Sequence, residues 1–462
     1  MKLSKYIWGL ALVVLTASCE KQLDITPPDG IEEDNAMTNV PDLEKAMIGA
    51  YAQINGSYDN DIYANALYSD EATLPLENNT GRGVIAYRWQ TDPGIGEVTA
   101  TWFSYAFGVD RANRIIAAAD KLKGKTAAEE TQRLRVKGEA IGMRAFCELQ
   151  VLINFAENLQ PGSKGVPYIY EAKIQKPKRE TVSTVLTNVQ KDIIDAIALI
   201  PAGFGDRNRI TLLALYAMQA RASLYQKNWD LAISAATTVI NALPLATRAQ
   251  YPSIWTDEIN TEVVWKHKRT EGQSRLGDVF YDRAQNKIMY GVANELASLY
   301  AAEDVRYEST VLDLGGGRLA VGKYWGGDAN EPGRADVKVF RTAEMYLIRA
   351  EAYAEKEQLI SGSADLNNLR ARRIDGYTNE SFGTKSSLID AIMMERYKEL
   401  AFEGQRMNDL RRKLWPVTRN PEDATNALGA VLLNPTDKTY YWPIPADEIL
   451  ANENMEQNPT YK

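Results

Sequence analysis

The sequence predicts a mostly α-helical protein, in which tetratricopeptide-type helix pairs form a scaffold that carries large irregular loop regions and a few short strands. Three observations support this fold class. Apolar residues recur at helical spacing in many stretches, and small residues in two segments follow the pattern of a tetratricopeptide repeat. Between the helical stretches, glycine, proline, asparagine and aromatic residues concentrate in two long segments.

Helical periodicity outlines the scaffold. In each stretch an apolar residue returns every three or four positions, so one face of the helix is suited to a core. The stretches are 42–54, 102–122, 127–158, 182–200, 212–226, 230–242, 342–357, 364–373 and 387–413. The last stretch opens with Ser387 and Asp390, three residues apart, a spacing typical of a capping box.

Small residues at regular spacing indicate that some helices approach each other closely. Ala220, Ala232 and Pro244 are twelve residues apart and match the small, small and proline positions of a tetratricopeptide repeat. A second match places Ala350 on one helix and, after a two-residue insertion, Ala364 on the next. A plain helical bundle with alanine-rich contacts is the alternative, and both alternatives describe a scaffold.

The N-terminus is typical of an exported lipoprotein. Lys2 and Lys5 precede a short apolar run, and small residues then lead to Cys19. The run is too short to span a bilayer as a permanent helix. The cysteine resembles a bacterial lipoprotein cleavage site, so we expect a signal peptide at 1–18, lipidation of Cys19 and a tether at 19–40. An ordinary signal peptide with an incidental cysteine is the alternative.

Composition narrows the class of protein. The chain has 462 residues, 45% of them apolar, and a formal net charge of −8, which allows a large core and argues against nucleic acid as a partner. With Cys19 lipidated, Cys147 has no disulfide partner and is expected to be a buried small apolar residue. His267 is the only histidine and lies in an alternating stretch that predicts a strand. We therefore expect no metal site and no cofactor.

Three carboxylates at helical spacing are the main catalytic candidates. Glu395, Glu399 and Glu403 are four residues apart, so a continuous helix would place them on one face. They are either an acid cluster, as in a surface glycosidase using Glu395 and Glu399, or buried anions paired with arginines. Abundant arginine on this segment and on helices expected to neighbour it favours the paired interpretation: Arg349, Arg370, Arg372, Arg373, Arg396, Arg406, Arg411 and Arg412.

The irregular segments 55–96 and 256–332 are where we expect ligand contacts, because loops on a rigid scaffold usually carry function. An exposed aromatic ring offers a flat apolar face to a sugar ring, and its polar edge can still hydrogen-bond. The ligand-binding candidates are Tyr63, Tyr68, Trp89, Tyr290, Tyr324 and Trp325. The alternative is that these rings pack beneath the loops.

Several motifs together carry a family resemblance. The segment 395–412 reads ERYKELAFEGQRMNDLRR and resembles the C-terminal signature of the SusD/RagB family of Bacteroidota outer-membrane nutrient-binding lipoproteins. RTAEMYLIRAEAYAE resembles the helix that precedes this signature, and YYWPIPADEILANENMEQNPTY resembles the family's ending. The resemblance implies a SusD-like fold, with an N-terminal region at 41–245 and a C-terminal region at 256–462 packed as one lobe.

The resemblance also implies a function without catalysis. Such a protein captures a glycan at the cell surface and delivers it to a SusC-like TonB-dependent transporter, while a lipid on Cys19 holds it to the outer membrane. A peptide ligand is the alternative within the family. A surface glycoside hydrolase, or a structural surface protein without a ligand, is the alternative outside it.

Overall fold

The computed structural model describes residues 36–94, 96–327 and 331–461. The predicted signal peptide, Cys19 and most of the tether lie outside these residues, so lipidation stays a prediction. Within the described residues, long α-helices dominate and the strands form only short two-stranded pairs. The predicted fold class, mostly α with large irregular regions, is confirmed. None of the helices in this part of the chain is long and apolar enough to cross a membrane.

Helices form about half of the described structure, and hydroxyl or amide side chains cap several of the long ones. Asn39, Thr126, Thr181 and Thr211 each accept a hydrogen bond from a backbone N–H in the first turn, which otherwise has no partner. The helices are α1 (Val40–Tyr68), α2 (Val84–Tyr87), α3 (Gly96–Lys121), α4 (Ala127–Phe155), α5 (Val182–Ile197), α6 (Leu212–Gln226), α7 (Trp229–Ala242), α8 (Tyr251–Trp255), α9 (Gly277–Phe280), α10 (Asn294–Ser298), α11 (Arg306–Thr310), α12 (Thr342–Glu355), α13 (Leu359–Ala371), α14 (Lys385–Glu399), α15 (Arg406–Lys413) and α16 (Ala446–Ala451).

The long helices pack in chain order. Helix α1 packs against α3, and each of α3 to α6 packs against the next long helix. Helix α7 then packs against α12, which in turn contacts α13 and α14. The intervening residues 243–341, which we call the excursion, separate two consecutive long helices of this packed series. The excursion contains most of the short helices and strands.

The repeat-like positions lie where helices approach each other. Ala220, Ala232 and Ala350 are fully buried. Ala364, however, is exposed, and the small residue at the close approach is Gly362, where an added Cβ would lie 2.9 Å from the Ala350 backbone oxygen. The predicted two-residue insertion is therefore wrong. Gly362 lies twelve residues after Ala350, at the regular spacing of the repeat.

Helix α1 is longer than predicted. Its second half, from residue 55 to Tyr68, occupies part of the segment that was expected to be irregular. Buried polar residues obscure the helical pattern there, because Asp61 and Asn65 stand at core positions. Distant side chains satisfy Asp61: Tyr105 Oη, Gln150 Nε2 and Asn154 Nδ2 donate hydrogen bonds to it. Such partners are visible only in the tertiary structure.

The predicted helix 387–413 is wrong as a single element. Helix α14 ends at Glu399, and α15 begins at Arg406 after a turn in which Phe402 and Gly404 have φ values of 58° and 75°. A left-handed backbone cannot continue an α-helix. At the other end, the capping box pairs Thr384 with Ser387, three residues earlier than predicted.

The strands are short and antiparallel. The pairs are β1 (Ala72–Thr73) with β5 (Gly291–Val292), β2 (Val263–His267) with β8 (Val337–Arg341), β3 (Tyr281–Asp282) with β4 (Lys287–Ile288), β6 (Val311–Asp313) with β7 (Leu319–Val321), and β9 (Val417–Thr418) with β10 (Leu432–Leu433). His267 lies in a strand, as predicted, and burial lowers its pKa well below the usual value. The β1–β5 pair joins the two irregular segments of the chain.

A large apolar core draws on both predicted regions. It runs from Leu43 on α1 through Phe146 on α4 to Trp442 and Met455 near the C-terminus. A smaller cluster surrounds α12 to α14 and includes Leu366. The proposed division at 41–245 and 256–462 stays a prediction.

Candidate functional site

The predicted carboxylate row is buried beneath the loops. Glu395 and Glu399 lie on α14, whereas Glu403 lies in the turn that follows, so the three do not share one helix. Glu395 and Glu399 are fully buried, and Glu403 is 4% exposed. Since no substrate can reach a sealed carboxylate without unfolding its surroundings, this arrangement does not form an open catalytic pair.

Arginines and two lysines, Lys323 and Lys398, hold these carboxylates. Glu395 accepts hydrogen bonds from Arg306 (2.5 Å) and Arg370 (2.6 Å). Further charge-assisted bonds reach Glu399 from Arg306 (3.1 Å), Arg341 (2.8 Å) and Arg373 (3.0 Å), and Glu403 from Arg341 (2.6 Å) and Lys323 (2.7 Å). Each buried anion thus has at least two cationic partners, and the paired interpretation is confirmed.

The pKa values agree with this pairing. Burial by itself raises the pKa of Glu395, but Arg306, Lys398 and Arg370 outweigh it and lower the pKa to about 2. The pKa of Glu399 lies well below its usual value for the same reason. Both side chains are therefore ionised at neutral pH and serve as permanent anions of the scaffold.

Only part of the predicted partner set is correct. Arg370 and Arg373 reach the row, but Arg349 pairs with Asp365, and Arg372 is exposed. Another set of arginines from the same segment pairs elsewhere: Arg396 and Arg412 with Asp409, Arg406 with Asp70, and Arg411 with the Tyr440 backbone oxygen. The missed partners, Arg306, Lys323 and Arg341, come from the excursion, whose path through space cannot be read from helical spacing.

The expectation of exposed aromatic rings is wrong for five of the six candidates. Tyr63 and Tyr68 lie on α1, and with Trp89, Tyr290 and Tyr324 they are at most 8% exposed. Their polar atoms are used internally: Tyr290 Oη donates to the Arg82 backbone oxygen and Tyr324 Oη to that of Phe402, both at 2.8 Å, and Trp89 Nε1 donates to that of Tyr68 at 3.0 Å. These rings form the base of the loops. Ligand contact by any of the six stays a prediction.

Two of these rings contact Phe280, and a third contacts one of the two. Tyr63 lies 6.0 Å from the Phe280 ring centre and 5.8 Å from that of Tyr290, and Tyr324 stacks on Phe280 at 6.5 Å. Tyr68 and Trp89 lie apart from this cluster, and the Arg419 guanidinium packs 4.2 Å from the Trp89 ring. The structure thus does not place the six candidates around one opening.

Trp325 is the half-buried ring of the six, and it packs against residues that line an open cavity. Its ring centre lies 4.9 Å from that of Tyr281, and the Arg283 guanidinium lies 4.1 Å from the Trp325 ring. Arg283 Nη2 also donates to the Trp325 backbone oxygen at 3.2 Å. This stack holds Arg283 at the edge of a cavity, and burial lowers the pKa of its guanidinium.

Two adjoining cavities form the opening, which we call the loop cleft. The larger has a volume of about 470 Å³ and is lined by Thr80, Arg82, Arg275, Asp278, Val279, Tyr281, Asp282, Arg283, Ala284 and Met289. The smaller, about 260 Å³, is lined by Gln53, Gly56, Ser57, Asp59, Asn60, Arg82, Ser104, Ser274, Arg275, Leu276 and Val279. Shared lining by Arg82, Arg275 and Val279 joins the two. The larger cavity lies within the roughly 300–1,000 Å³ range typical of ligand sites.

Contacts between the two irregular segments shape the loop cleft. Strand β1 pairs with β5, and Asn78 Nδ2 donates to the Met289 backbone oxygen at 2.9 Å. Arg275 Nη1 donates to the Pro332 backbone oxygen at 2.7 Å, which ties the rim to a third loop. The cleft is therefore built from parts of the chain that are about 200 residues apart in sequence.

Gly333 makes room for the arginine stack. Its φ is +84°, a left-handed conformation that favours glycine, and an added Cβ would lie 2.7 Å from Arg283 Nε. A side chain at this position would push Arg283 away from Trp325. Gly333 thus sets the position of the guanidinium at the cleft.

Reasoning from the sequence missed the cleft arginines and Tyr281. A local signal did exist, because Arg82 stands between two glycines, and Arg275 and Arg283 lie in the aromatic-rich excursion. Charged residues in a glycine-rich loop are candidates for ligand contact in the same way as aromatic ones.

Comparison with known proteins identifies the family. A sequence model described as "SusD family" matches residues 262–461, and one described as "Starch-binding associating with outer membrane" matches residues 23–224. Together they account for most of the chain. The SusD-like protein P25 of Formosa agariphila is 22% identical over 89% of this chain and 90% of its own length. The starch-binding protein SusD of Bacteroides thetaiotaomicron is 33% identical, over 28% of this chain and 22% of its own length.

Solved structures show the same fold. A SusD superfamily protein from Bacteroides thetaiotaomicron has a TM-score of 0.81 and 22% identity, covering 91% of this chain and all of that chain. A putative sugar binding protein from Bacteroides vulgatus has the same TM-score and identity and covers 92% of this chain and all of its own. The motifs, the matching sequence models and the shared architecture agree, and the chain belongs to the SusD/RagB family of outer-membrane-associated proteins.

Proposed function

We propose that this protein binds a glycan in the loop cleft and delivers it to a SusC-like TonB-dependent transporter in the outer membrane. It acts at the cell surface, where a lipid on Cys19 anchors it, and it does not transform its ligand. The family models and the names of two similar proteins, one starch-binding and one sugar-binding, support a carbohydrate ligand.

The observation that carries this proposal is the loop cleft. It is open to solvent, is lined by Tyr281 and presents polar side chains that suit sugar hydroxyl groups, including Asn60 and Ser104. Pockets of this kind, with a few polar groups above a rigid base, are typical of small-molecule and glycan sites. Tyr281 lines the larger cavity, although only 7% of it is exposed, and the half-buried Trp325 packs against it, so these two rings are the aromatic candidates for a sugar contact there.

The burial of Glu395 and Glu399 favours binding over hydrolysis. A glycosidase needs two carboxyl groups on either side of the sugar bond, and these two are enclosed by cationic partners. A surface glycoside hydrolase using this pair is therefore disfavoured. A peptide ligand remains the alternative within the same binding function.

A binding screen tests the proposal. The purified protein is run in native gels containing a panel of polysaccharides, and hits are measured by calorimetry; a peptide library and a reducing-sugar assay are included. We expect retardation by at least one glycan, no release of reducing sugar, and at least tenfold weaker binding by Tyr281→Ala and Trp325→Ala. Tyr170→Ala is the matched control, because Tyr170 is 44% exposed and does not line the cleft.

Three results would contradict this assignment. Binding of peptides without any glycan would move the function to the peptide alternative, and sugar release would make the protein an enzyme. Equal losses for Tyr170→Ala and Tyr281→Ala would place the ligand elsewhere. Membrane fractionation of a Cys19→Ala variant tests the anchor, and co-purification from outer membranes tests the transporter.

A further inference from the structure

The charge of the loop cleft differs from that of the whole chain. The protein carries a formal net charge of −8, yet the larger cavity is lined by three guanidinium groups and two carboxylates. In the smaller cavity, Arg82 and Arg275 recur, and the one carboxylate, Asp59, is already paired with Arg269 at 2.5 Å. The cleft is therefore a cationic site in an acidic protein, a charge pattern that attracts anions locally.

Two of these arginines have no carboxylate partner in the described part of the chain. The Arg82 side chain is exposed, and its contact there is the Tyr63 ring, 5.7 Å from the guanidinium carbon. Arg275 Nη1 donates a hydrogen bond to the Pro332 backbone oxygen. Both side chains line the junction of the two cavities.

Arg283 is oriented by Trp325 and by a long ion pair. It packs on the Trp325 ring and donates to the Trp325 backbone oxygen, and its Nε forms an ion pair with Asp278 Oδ1 at 3.7 Å, which is too long for a hydrogen bond. Asp282 accepts a hydrogen bond from the Gln285 backbone N–H at 3.0 Å. The guanidinium groups of the cleft thus retain donors for a ligand.

The arginines that hold the carboxylate row are paired differently. Arg306, Arg341 and Arg373, which are buried, each contact two or more carboxylates. A guanidinium fork matches a carboxylate or sulfate group with two parallel hydrogen bonds. Unpaired forks at the junction of two cavities are suited to an acidic group on a bound chain of sugars.

We propose that the loop cleft selects an anionic glycan, an oligosaccharide that carries carboxylate or sulfate groups, through Arg82 and Arg275 at the junction of its two cavities. This inference rests on the glycan-binding function proposed above. Arg283, held on Trp325, gives a third cationic contact in the larger cavity. Neutral polar groups, such as Ser104 and Asn60, remain for the sugar hydroxyls.

Matched pairs of polymers test the charge preference. Polygalacturonate is compared with its methyl ester and dextran sulfate with dextran, so that each pair keeps its backbone and differs in charge, and neutral starch, xylan and mannan complete the set. We expect a charged member to bind and its neutral counterpart to bind at least tenfold more weakly. The two pairs separate carboxylate from sulfate recognition.

Arginine variants locate the recognition. Arg82→Gln and Arg275→Gln are expected to weaken binding of the charged polymer by about ten- to hundredfold, while Arg372→Gln, an exposed arginine outside the cleft, leaves it unchanged. Melting temperatures of all variants are measured alongside. Arg82→Lys keeps the charge without the fork and is expected to retain part of the affinity if folding is intact.

The outcomes separate this inference from the function on which it rests. Tight binding of neutral glycans without a charge preference overturns the anionic assignment and leaves glycan binding intact. Absence of binding to every glycan overturns both. Equal losses from Arg372→Gln and Arg82→Gln would mean that the polymer is attracted to surface charge in general, and would also overturn the assignment.

Discussion

Replacing Glu399 with glutamine tests the buried charge network directly. The amide keeps the size of the side chain but removes a negative charge that accepts hydrogen bonds from Arg306 (3.1 Å), Arg341 (2.8 Å) and Arg373 (3.0 Å). It also turns a donor toward three guanidinium groups that need acceptors. The expected result is a loss of folding stability without a change in the fold.

The structure sets the size of this loss. Removing one partner of a buried ion pair typically costs about 3–5 kcal/mol. Other carboxylates still hold the arginines, since Arg306 keeps Asp304 and Arg373 keeps Glu262, so we expect the lower end, about 3 kcal/mol. An unfolding entropy of about 2 cal/mol/K per residue gives about 1 kcal/mol/K for this chain, so Tm falls by roughly 3 °C.

Urea unfolding followed by tryptophan fluorescence measures the change, since the chain has 9 tryptophans. Glu380→Gln is the matched control, because its carboxylate also contacts an arginine, Arg370, but is 53% exposed. We expect that control to lose less than about 1 kcal/mol. If the two variants lose equal stability, the reasoning from burial is refuted.

Three further predictions follow from single residues. The pKa of Glu395 is lowered to about 2, so its ionised side chain stabilises the folded state fully above pH 4.5, and this stabilisation is lost as the pH falls toward 2. The difference in folding stability between wild type and Glu395→Gln, measured by urea titration, should therefore shrink over that range. Burial raises the pKa of Glu148 to about 8, so the wild type should lose folding stability as the pH rises from about 4.5 through 8. Glu148→Gln should lose less stability over the same range. Parallel curves of stability against pH for the two proteins would contradict this. Gly333→Ala should lower Tm more than Gly272→Ala, at a cost of about 1–3 kcal/mol, because both have positive φ but only the first Cβ would strike Arg283.

The helix bounds show how much of the fold can be predicted from the local pattern of apolar and capping residues. The bounds of α6 were predicted to the residue, and those of α4 and α7 within a few residues, because apolar spacing and hydroxyl or amide caps are encoded within each segment. The helix predicted at 42–54 ended too early, because buried polar residues such as Asp61 and Asn65 interrupt the apolar pattern in the second half of α1. The break after Glu399 was missed because it depends on left-handed residues 402 and 404, whose neighbours lie on α1: an added Cβ on Gly404 would lie 3.2 Å from Ile62.

The candidate site shows that residue composition does not predict which side chains of a loop face solvent. The candidate rings were predicted from two aromatic-rich segments, but five of the six are buried, and the arginines of the loop cleft were not among the candidates. Whether a tyrosine supports a loop or faces solvent depends on what packs above it, as Tyr290 illustrates beneath Arg82. Such contacts join residues about 200 positions apart.

Local order in the sequence therefore specifies the helical scaffold, the export signal that we predict and the presence of charges that require pairing. Contacts between distant segments specify which arginine meets which glutamate and which face of the loops remains open. The physical reason is range: helix periodicity and capping act within a few residues. The pairing of Arg341 with Glu399 and the position of Arg82 at the loop cleft arise only when the excursion folds back onto the scaffold.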